Sequence, residues 1–322
     1  MPTGDGPMVS VGWVLATRPP GPQPPTVTEL IEQGTHAERL GFDGVWVGES
    51  LIARPRPDAL TLLSALAVTT THCTLGTAVL LPALRHPVVL AHQLATLDAL
   101  SRGRLIVGAG IGFPMPATEA EFTACGVVYQ TRAARFDECI RAMRQLWAAD
   151  RPISFRGRHV RFDDVELEPR PAQLGGPPIW FTGTGPRAVA RTGRHGDGWL
   201  PYPPHPDQYR TAWDDIASVA AEAGRPAPTA ALFATVNVDD DPERARQRLQ
   251  TTIERQYQAP ADVVAQIQAT CAGTPDTVAA WLSAYLDAGV QHVVLRVADE
   301  DQTGSMERVA HLLTGLRAAQ AR

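Results

Sequence analysis

The sequence predicts an α/β chain folded as a (β/α)8 TIM barrel, with inserted loops and a hairpin at the C-terminal face. Three observations carry that prediction. Short apolar runs of strand type alternate with helical patterns along the 322 residues, which implies a parallel sheet covered by helices. Eight such strand-and-helix units are present, the number that closes a barrel. The stretch from Thr74 to Gly112 spells one unit plainly: a continuous apolar run from Ala78 to Leu81, a helical pattern, and a second buried run from Leu105 to Val107. Such runs mark strands buried on both faces.

The first strand is expected over 9–15, followed by a stiff loop over 18–26 with five prolines and a helix over 29–40. A strand over 44–47 precedes a helix over 59–70, and the third strand covers 75–81. Pro87 opens the next helix, over 88–100, because its missing N–H would be unpaired in a first turn anyway. Leu90, Leu94 and Leu97 then recur at helical spacing, and Gly103 ends the helix. The fourth strand, 105–110, runs into Gly108, Gly110 and Gly112, which remove side chains at its carboxyl end. A helix over 132–149 follows, and 153–168 alternates apolar and polar residues around Arg156-Gly157-Arg158, as an inserted hairpin does. Strands over 179–182 and 198–201 flank a helix over 187–194, and another helix covers 208–223. Between the last two strands, 231–238 and 292–297, two or more helices over 242–288 replace the usual one. A helix over 306–319 completes the pattern. The chain reads as one domain, 1–322, with insertions at roughly 111–131, 150–176 and 239–273, and with neither internal repeats nor low-complexity segments.

Hydrophobic content of 44% is ample for a core, and a net charge of −5 without a basic block gives no reason to expect nucleic acid or an anionic membrane as partner. No apolar stretch is long enough to span a bilayer, and 1–7 has no signal-type pattern, so a cytoplasmic small-molecule enzyme is expected. Cys73, Cys125, Cys139 and Cys271 have no metal or redox spacing. His86 and His92 fall on different helix faces, so no metal site is expected; His86 is read as shaping the turn before Pro87, with a proton-donor role left open. All 29 basic side chains are Arg. The absence of Lys excludes Schiff-base chemistry, pyridoxal phosphate anchoring and a P-loop lysine, leaving every anion to arginine.

Several segments together resemble the luciferase-like monooxygenase family of flavin and deazaflavin oxidoreductases. Besides 74–112 they are Ala37-Glu38-Arg39-Leu40-Gly41-Phe42-Asp43-Gly44-Val45-Trp46-Val47, Pro178-Ile179-Trp180-Phe181-Thr182-Gly183-Thr184-Gly185-Pro186-Arg187 with Gly196-Asp197-Gly198-Trp199, and Gly273-Thr274-Pro275 with Asp287-Ala288-Gly289-Val290. They occur in the family's order along most of the chain, and the resemblance rests on the ensemble.

The resemblance implies a cofactor site at the carboxyl ends of the strands, where barrel chemistry resides. Thr182 to Arg187 joins a strand to a helix, so exposed N–H groups and the helix dipole attract a phosphate; Gly183, Thr184, Gly185 and Arg187 are its candidate binders. The alternative is a plain strand-to-helix turn. Thr77, Ala78 and Val79 match the family's bulge against the back of the cofactor ring, which implies a cis peptide between Ala78 and Val79. Gly110, Ile111 and Gly112 would lie beside the ring and its side arm; alone, such glycines equally well permit close packing. Ile111 stands where luciferase has an arginine for the flavin phosphate, which favours the deazaflavin branch. Glu49, followed by Ser50, stands where deazaflavin members often carry Asp-His. It is the catalytic candidate and also a cofactor ligand, as a hydrogen-bond acceptor or general acid or base; a surface carboxylate is the alternative. The missing histidine weakens an alcohol dehydrogenase reading, and Phe113 stands where the family's sugar-phosphate dehydrogenases place an acid, which argues against that activity.

The expected function is hydride transfer between coenzyme F-420 and a small organic substrate. The alternative within the fold is an FMN-dependent monooxygenase served by a partner flavin reductase, and the alternative of another class is a non-catalytic flavin- or deazaflavin-binding barrel. A barrel hydrolase would need convergent carboxylates or metal ligands, and Glu49 stands alone. The resemblance also suggests a homodimer.

Overall fold

The computed structural model describes residues 8–18, 21, 23–203 and 205–320. Residues 1–7, and Pro19, Pro20 and Pro22 of the expected proline loop, lie outside the described residues. The chain begins β1 (Ser10–Val14), α1 (Val27–Arg39), β2 (Gly44–Val47), α2 (Ala59–Thr69), β3 (Thr74–Leu80), α3 (Pro87–Leu100) and β4 (Leu105–Ala109). It continues α4 (Pro116–Ala124), α5 (Arg132–Ala148), β5 (Ile153–Arg156), β6 (Arg161–Val165), β7 (Ile179–Phe181), α6 (Pro186–His195), β8 (Gly198–Trp199) and α7 (Pro206–Glu222). The remainder is β9 (Thr229–Val238), α8 (Pro242–Tyr257), α9 (Ala261–Ala265), β10 (Thr270–Gly273), α10 (Pro275–Asp287), β11 (His292–Val297) and α11 (Gln302–Gln320). Contacts divide it into two compact units, one of residues 1–46 and 180–322 and the other of 47–179.

In the first unit all strand pairs are parallel. β1 lies between β2 and β11, β11 pairs with β9, and β9 also pairs with β8 and β10, while β8 pairs with β7. Two glycines on the inner face make room for two tryptophans: a Cβ on Gly12 would stand 2.2 Å from Trp46 Nε1, and one on Gly198 2.3 Å from Trp180 Cδ1. The indoles lie 5.3 Å apart, and His292 presents its ring to both at 5.4 and 5.0 Å. Each buried ring contributes on the order of 2–3 kcal/mol through its removal from water. Where β9 and β11 end, two carboxylates hold the following helices. Asp299 accepts from Ser305, Arg248 and Arg308 at 2.9, 3.0 and 3.2 Å, and Asp239 from Arg244 Nε and Arg248 at 2.8 and 3.2 Å. Helix starts follow local chemistry, as in the capping box of α1, where Thr26 and Glu29 exchange hydrogen bonds.

Between the last two strands the expected two or more helices are present, together with one short strand that the sequence reading does not include. Three helices occur there, and Thr270–Gly273 is a short strand whose register on β9 pairs Thr270 with Thr235 and Gly273 with Val238. Four residues between helical patterns carry too little periodicity to read as a strand; pairing with an existing edge satisfies their backbone instead.

The second unit is built on the parallel β3–β4 pair, with α2 against β3 and α3 packed between α2 and α5. Arg104 caps the end of α2, donating to the carbonyls of Ala67, Thr70 and Cys73 at 2.9, 3.1 and 2.9 Å. β5 and β6 form the expected antiparallel hairpin. Its turn sits on Glu138 of α5, which accepts from the N–H groups of Arg158, His159 and Val160 at 2.9, 2.7 and 2.9 Å. Gly157 is required there, because a Cβ would lie 2.3 Å from Glu138 Oε2. The helix α4, within the insertion expected over 111–131, is not foreseen by the sequence reading; its buried face is only Thr118, Glu121 and Phe122, too few positions for a helical period.

Candidate functional site

In the second unit, the segment that begins at Val47 and β3 deliver the predicted residues to one place. Pairing between β3 and β4 is interrupted from Thr77 to Leu80. There Ala78 and Val79 are half-exposed in an otherwise buried strand, and the peptide between them is cis, as the resemblance implied. Thr77, fully buried, holds the bulge by donating its hydroxyl to Gly108 O at 2.7 Å. Gly108 is demanded by that packing, since a Cβ would stand 2.0 Å from Thr77 O. Gly48, just past β2, approaches the bulge too: its Cβ would lie 3.1 Å from Ala78 O.

Glu49 is buried, with 2% of its side chain exposed, which removes the surface-carboxylate alternative. Leu81 N–H donates to Oε2 at 2.7 Å. Arg85 Nη2 makes an ion-pair contact with Oε1 and reaches Asp58 Oδ2 at 3.3 Å. Oε1 has no partner besides Arg85 Nη2 among the described residues, and the buried Arg85 Nη1 finds no acceptor. Burial raises the Glu49 pKa above the ordinary carboxylate value, against the opposing pull of Arg85 and of the Leu81 N–H. A buried carboxyl and a guanidinium with one unsatisfied nitrogen thus stand together beside a half-exposed backbone bulge. Unsatisfied buried polar atoms of this kind fit a polar ligand edge.

Arg85 escapes the sequence reading because its partner is 36 positions away and its neighbours His86 and Pro87 attract attention as the helix start. The missing lysines are the only sequence signal for it. His86 itself accepts from Val88 N–H at 3.3 Å as the cap of α3, the turn-shaping role expected of it. Glu121 of α4 is also new: it is buried and gathers Ser50 Oγ at 3.2 Å and the N–H groups of Leu51 and Ile52, fixing the loop that follows Glu49. Of the glycine run, Gly110 is tied by its N–H to Leu80 O at 2.9 Å, beside the bulge. Gly112 has φ +85° and would place a Cβ 2.9 Å from Thr118; its requirement comes from the turn and from α4. Ile111 is half-buried between them.

In the first unit the 182–187 turn has the geometry of an anion cradle. Gly183 adopts φ +96° and its carbonyl accepts from Trp199 Nε1 at 2.9 Å. Gly185 caps α6 without a side-chain bond, Pro186 occupies the first turn, and the first turn of α6 itself has no acidic residue. Thr184, Gly185 and Arg187 are exposed, and among the described residues no acceptor meets their N–H groups or the Arg187 guanidinium. Unpaired donors at a positive helix end with a free arginine beside them suit a phosphate. A groove of about 890 Å3 opens from Gly183 and Thr184 to Tyr202, Pro203 and Ile267. Its size suits a small organic ligand.

No group of His, Cys, Asp or Glu among the described residues is arranged to hold a metal ion, and no helix among them is long and apolar enough to cross a membrane.

Residues 9–292 match the family described as luciferase-like monooxygenase. A relative from Beutenbergia cavernae, named F420-dependent glucose-6-phosphate dehydrogenase, is 30% identical over 91% of this chain and 94% of its own. Among solved structures, the monooxygenase RslO1 from Streptomyces bottropensis has 28% identity, a TM-score of 0.81 and coverage of 95% of this chain and 99% of that one. An F420-dependent secondary alcohol dehydrogenase, at 21% identity, has a TM-score of 0.83 with 96% and 99% covered, a likeness of fold. The fold is thus the (β/α)8 barrel that the strand count predicts. With the family model matched over residues 9–292, this chain belongs to the luciferase-like monooxygenase family.

Proposed function

We propose that the protein is an oxidoreductase that uses coenzyme F-420 to transfer a hydride to or from a small organic substrate. The observation that carries this reading is Glu49, a buried carboxyl paired with Arg85, whose Nη1 is left without an acceptor, beside the half-exposed Ala78–Val79 bulge. Relatives named F420-dependent, matched along nine-tenths of the chain, support the choice of cofactor. So does Ile111, which offers no cation for a flavin phosphate.

When bound, the deazaflavin supplies the hydride chemistry and, unlike flavin, reacts sluggishly with oxygen. The chain's own residues bind and orient. In this proposal Thr77, Ala78, Val79, Gly110, Ile111 and Gly112 form the surface for the ring, and Gly183, Thr184, Gly185 and Arg187 take a phosphate. Glu49, whose proton affinity burial raises, is the group placed to exchange a proton with the ligand. Arg85 keeps that carboxyl in place and offers Nη1 to an oxygen of the ligand. Glucose 6-phosphate is not carried over as the substrate: Ser50 and Phe113 stand where the resemblance places a histidine and an acid, and Phe113 is 52% exposed rather than part of a polar site.

The experiment is anaerobic turnover of F-420 against a panel of alcohols, ketones and unsaturated acids, with Glu49→Gln as the control. Substrate-dependent spectral change of F-420 that falls about 100-fold in Glu49→Gln is expected. F-420 binding without turnover of any substrate would favour a carrier. The likeness to a monooxygenase keeps FMN as the second reading; it requires oxygen-dependent product and a partner reductase. A homodimer belongs to the proposal as well, and light scattering of the purified chain tests it.

A further inference from the structure

We propose that Arg296, held by Thr235 and Tyr257, is a subsite for a carboxylate on the substrate, so that the molecule oxidised or reduced is an organic acid. The inference rests on the reading of the protein as an oxidoreductase and names its substrate class.

β9 and β11 are neighbours, and their register places Thr235 opposite Arg296 near the carboxyl ends of both strands. Phe233, two residues before Thr235, points to the same side. Arg296 donates from Nε and Nη2 to Thr235 Oγ1 at 3.0 and 2.7 Å, and from Nη1 to Tyr257 Oη at 2.9 Å. Its Cζ lies 5.5 Å from the Phe233 ring and 5.4 Å from the Tyr257 ring. A guanidinium has five N–H donors, and three are used here, all on neutral oxygens.

No carboxylate among the described residues comes within ion-pair distance of Arg296. Its contrast with other arginines of the same unit is sharp: Arg225, Arg248, Arg255 and Arg308 each meet an Asp or Glu. A half-buried cation without a counter-ion is costly, and a site that retains one is completed by an anion from outside. The remaining donors of one planar fork match two coplanar oxygens better than the tetrahedral, more highly charged phosphate. Phe233 and Tyr257 flank the guanidinium with ring faces suited to an apolar body.

Tyr257 reports the same demand for negative charge. Burial pushes its phenol up, yet the charges of Arg296 and Arg18, with hydrogen bonds from Arg296 and Gln268, bring it down to about 8. Arg18 lies over the Tyr257 ring at 4.9 Å. Tyr202, whose phenol is raised by burial and by Tyr257, belongs to the same cluster, and Cys271, its thiol raised by burial, lies on β10 opposite Val236. Tyr202 also lines the groove that reaches Ile267, so the cluster adjoins accessible space.

The test uses benzoate, its neutral isostere benzamide and inorganic phosphate as probes, measured by calorimetry on the full chain. Benzoate is expected to bind the wild type at least about tenfold more tightly than benzamide, as one charge-assisted pair implies. Arg296→Gln removes that preference, Tyr257→Phe weakens it, and Arg296→Lys, which keeps the charge, recovers part of it. Thermal melts of all three confirm folding, and F-420 affinity stays within about twofold in Arg296→Gln. A benzoate preference that survives Arg296→Gln, tighter binding of phosphate, or loss of F-420 affinity in that variant overturns the proposal. A wild type that binds benzoate but not F-420 supports the subsite and sinks the cofactor reading instead.

Discussion

Glu49 and His292 show how one side chain's surroundings set its chemistry. Glu49 is buried beside a cation, and burial wins, so its proton is held more tightly than in water. Replacement by Gln keeps the shape and removes the titration; kcat/KM is expected to fall about 100-fold while F-420 affinity changes less than tenfold. A variant with wild-type turnover would remove Glu49 from the reaction. His292 is pressed between Trp46 and Trp180, and desolvation lowers its pKa to about 4. The unfolded chain therefore takes up the proton first. Stability is complete above about pH 6.5 and is lost as pH falls toward 4, by on the order of 3 kcal/mol. Melting temperatures across pH 4–7 should slope upward, and His292→Gln should flatten that slope whatever its effect on absolute stability.

At the scale of elements, the 182–187 turn and the ends of β9 and β11 make separate predictions. Arg187→Ala is expected to weaken F-420 binding about tenfold with no change in melting temperature, since its side chain is exposed and contacts nothing described. Gly183→Val weakens it further, because Gly183 sits at φ +96° with Ala188 Cβ 2.9 Å from where a Cβ would be. Unchanged dissociation constants in both would remove the phosphate assignment. Asp239 is lowered to about 2, chiefly by its hydrogen bond from Arg244. The stability it confers is present above its ordinary pKa of 3.8 and is lost as pH falls toward 2, on the order of 1 kcal/mol after allowance for the exposed arginine. Asp239→Asn should lose that acid-range dependence in chemical denaturation.

Elements with a strong period were legible in the sequence: the eight strands, the hairpin around Arg156-Gly157-Arg158, and the helix that Pro87 opens. The bulge at Ala78–Val79 was legible only through resemblance, because it has no distinctive composition, whereas the glycines of the 182–187 turn already pointed to a strand-to-helix turn that the resemblance reinforced. Arg85 and Glu121 were not legible. Each acts on a residue tens of positions away, through contacts that exist only once β2, β3 and α4 are assembled, and α4 and β10 are too short to show a period of their own.

Over the whole molecule, a chain with 29 Arg and no Lys has sorted its arginines by task. Arg248 and Arg308 bind helices to strand ends, Arg104 and Arg135 satisfy carbonyls, and Arg85, Arg187 and Arg296 keep donors without a partner among the described residues. That the chain is one domain is also proposed, and coincident unfolding transitions by fluorescence and circular dichroism would support it. The central claim is the identity of the cofactor. Side-by-side titration of the purified protein with F-420 and FMN under nitrogen tests it most directly: the account predicts that F-420 binds at least about tenfold more tightly than FMN, whereas tighter FMN binding together with oxygen-dependent product would contradict it.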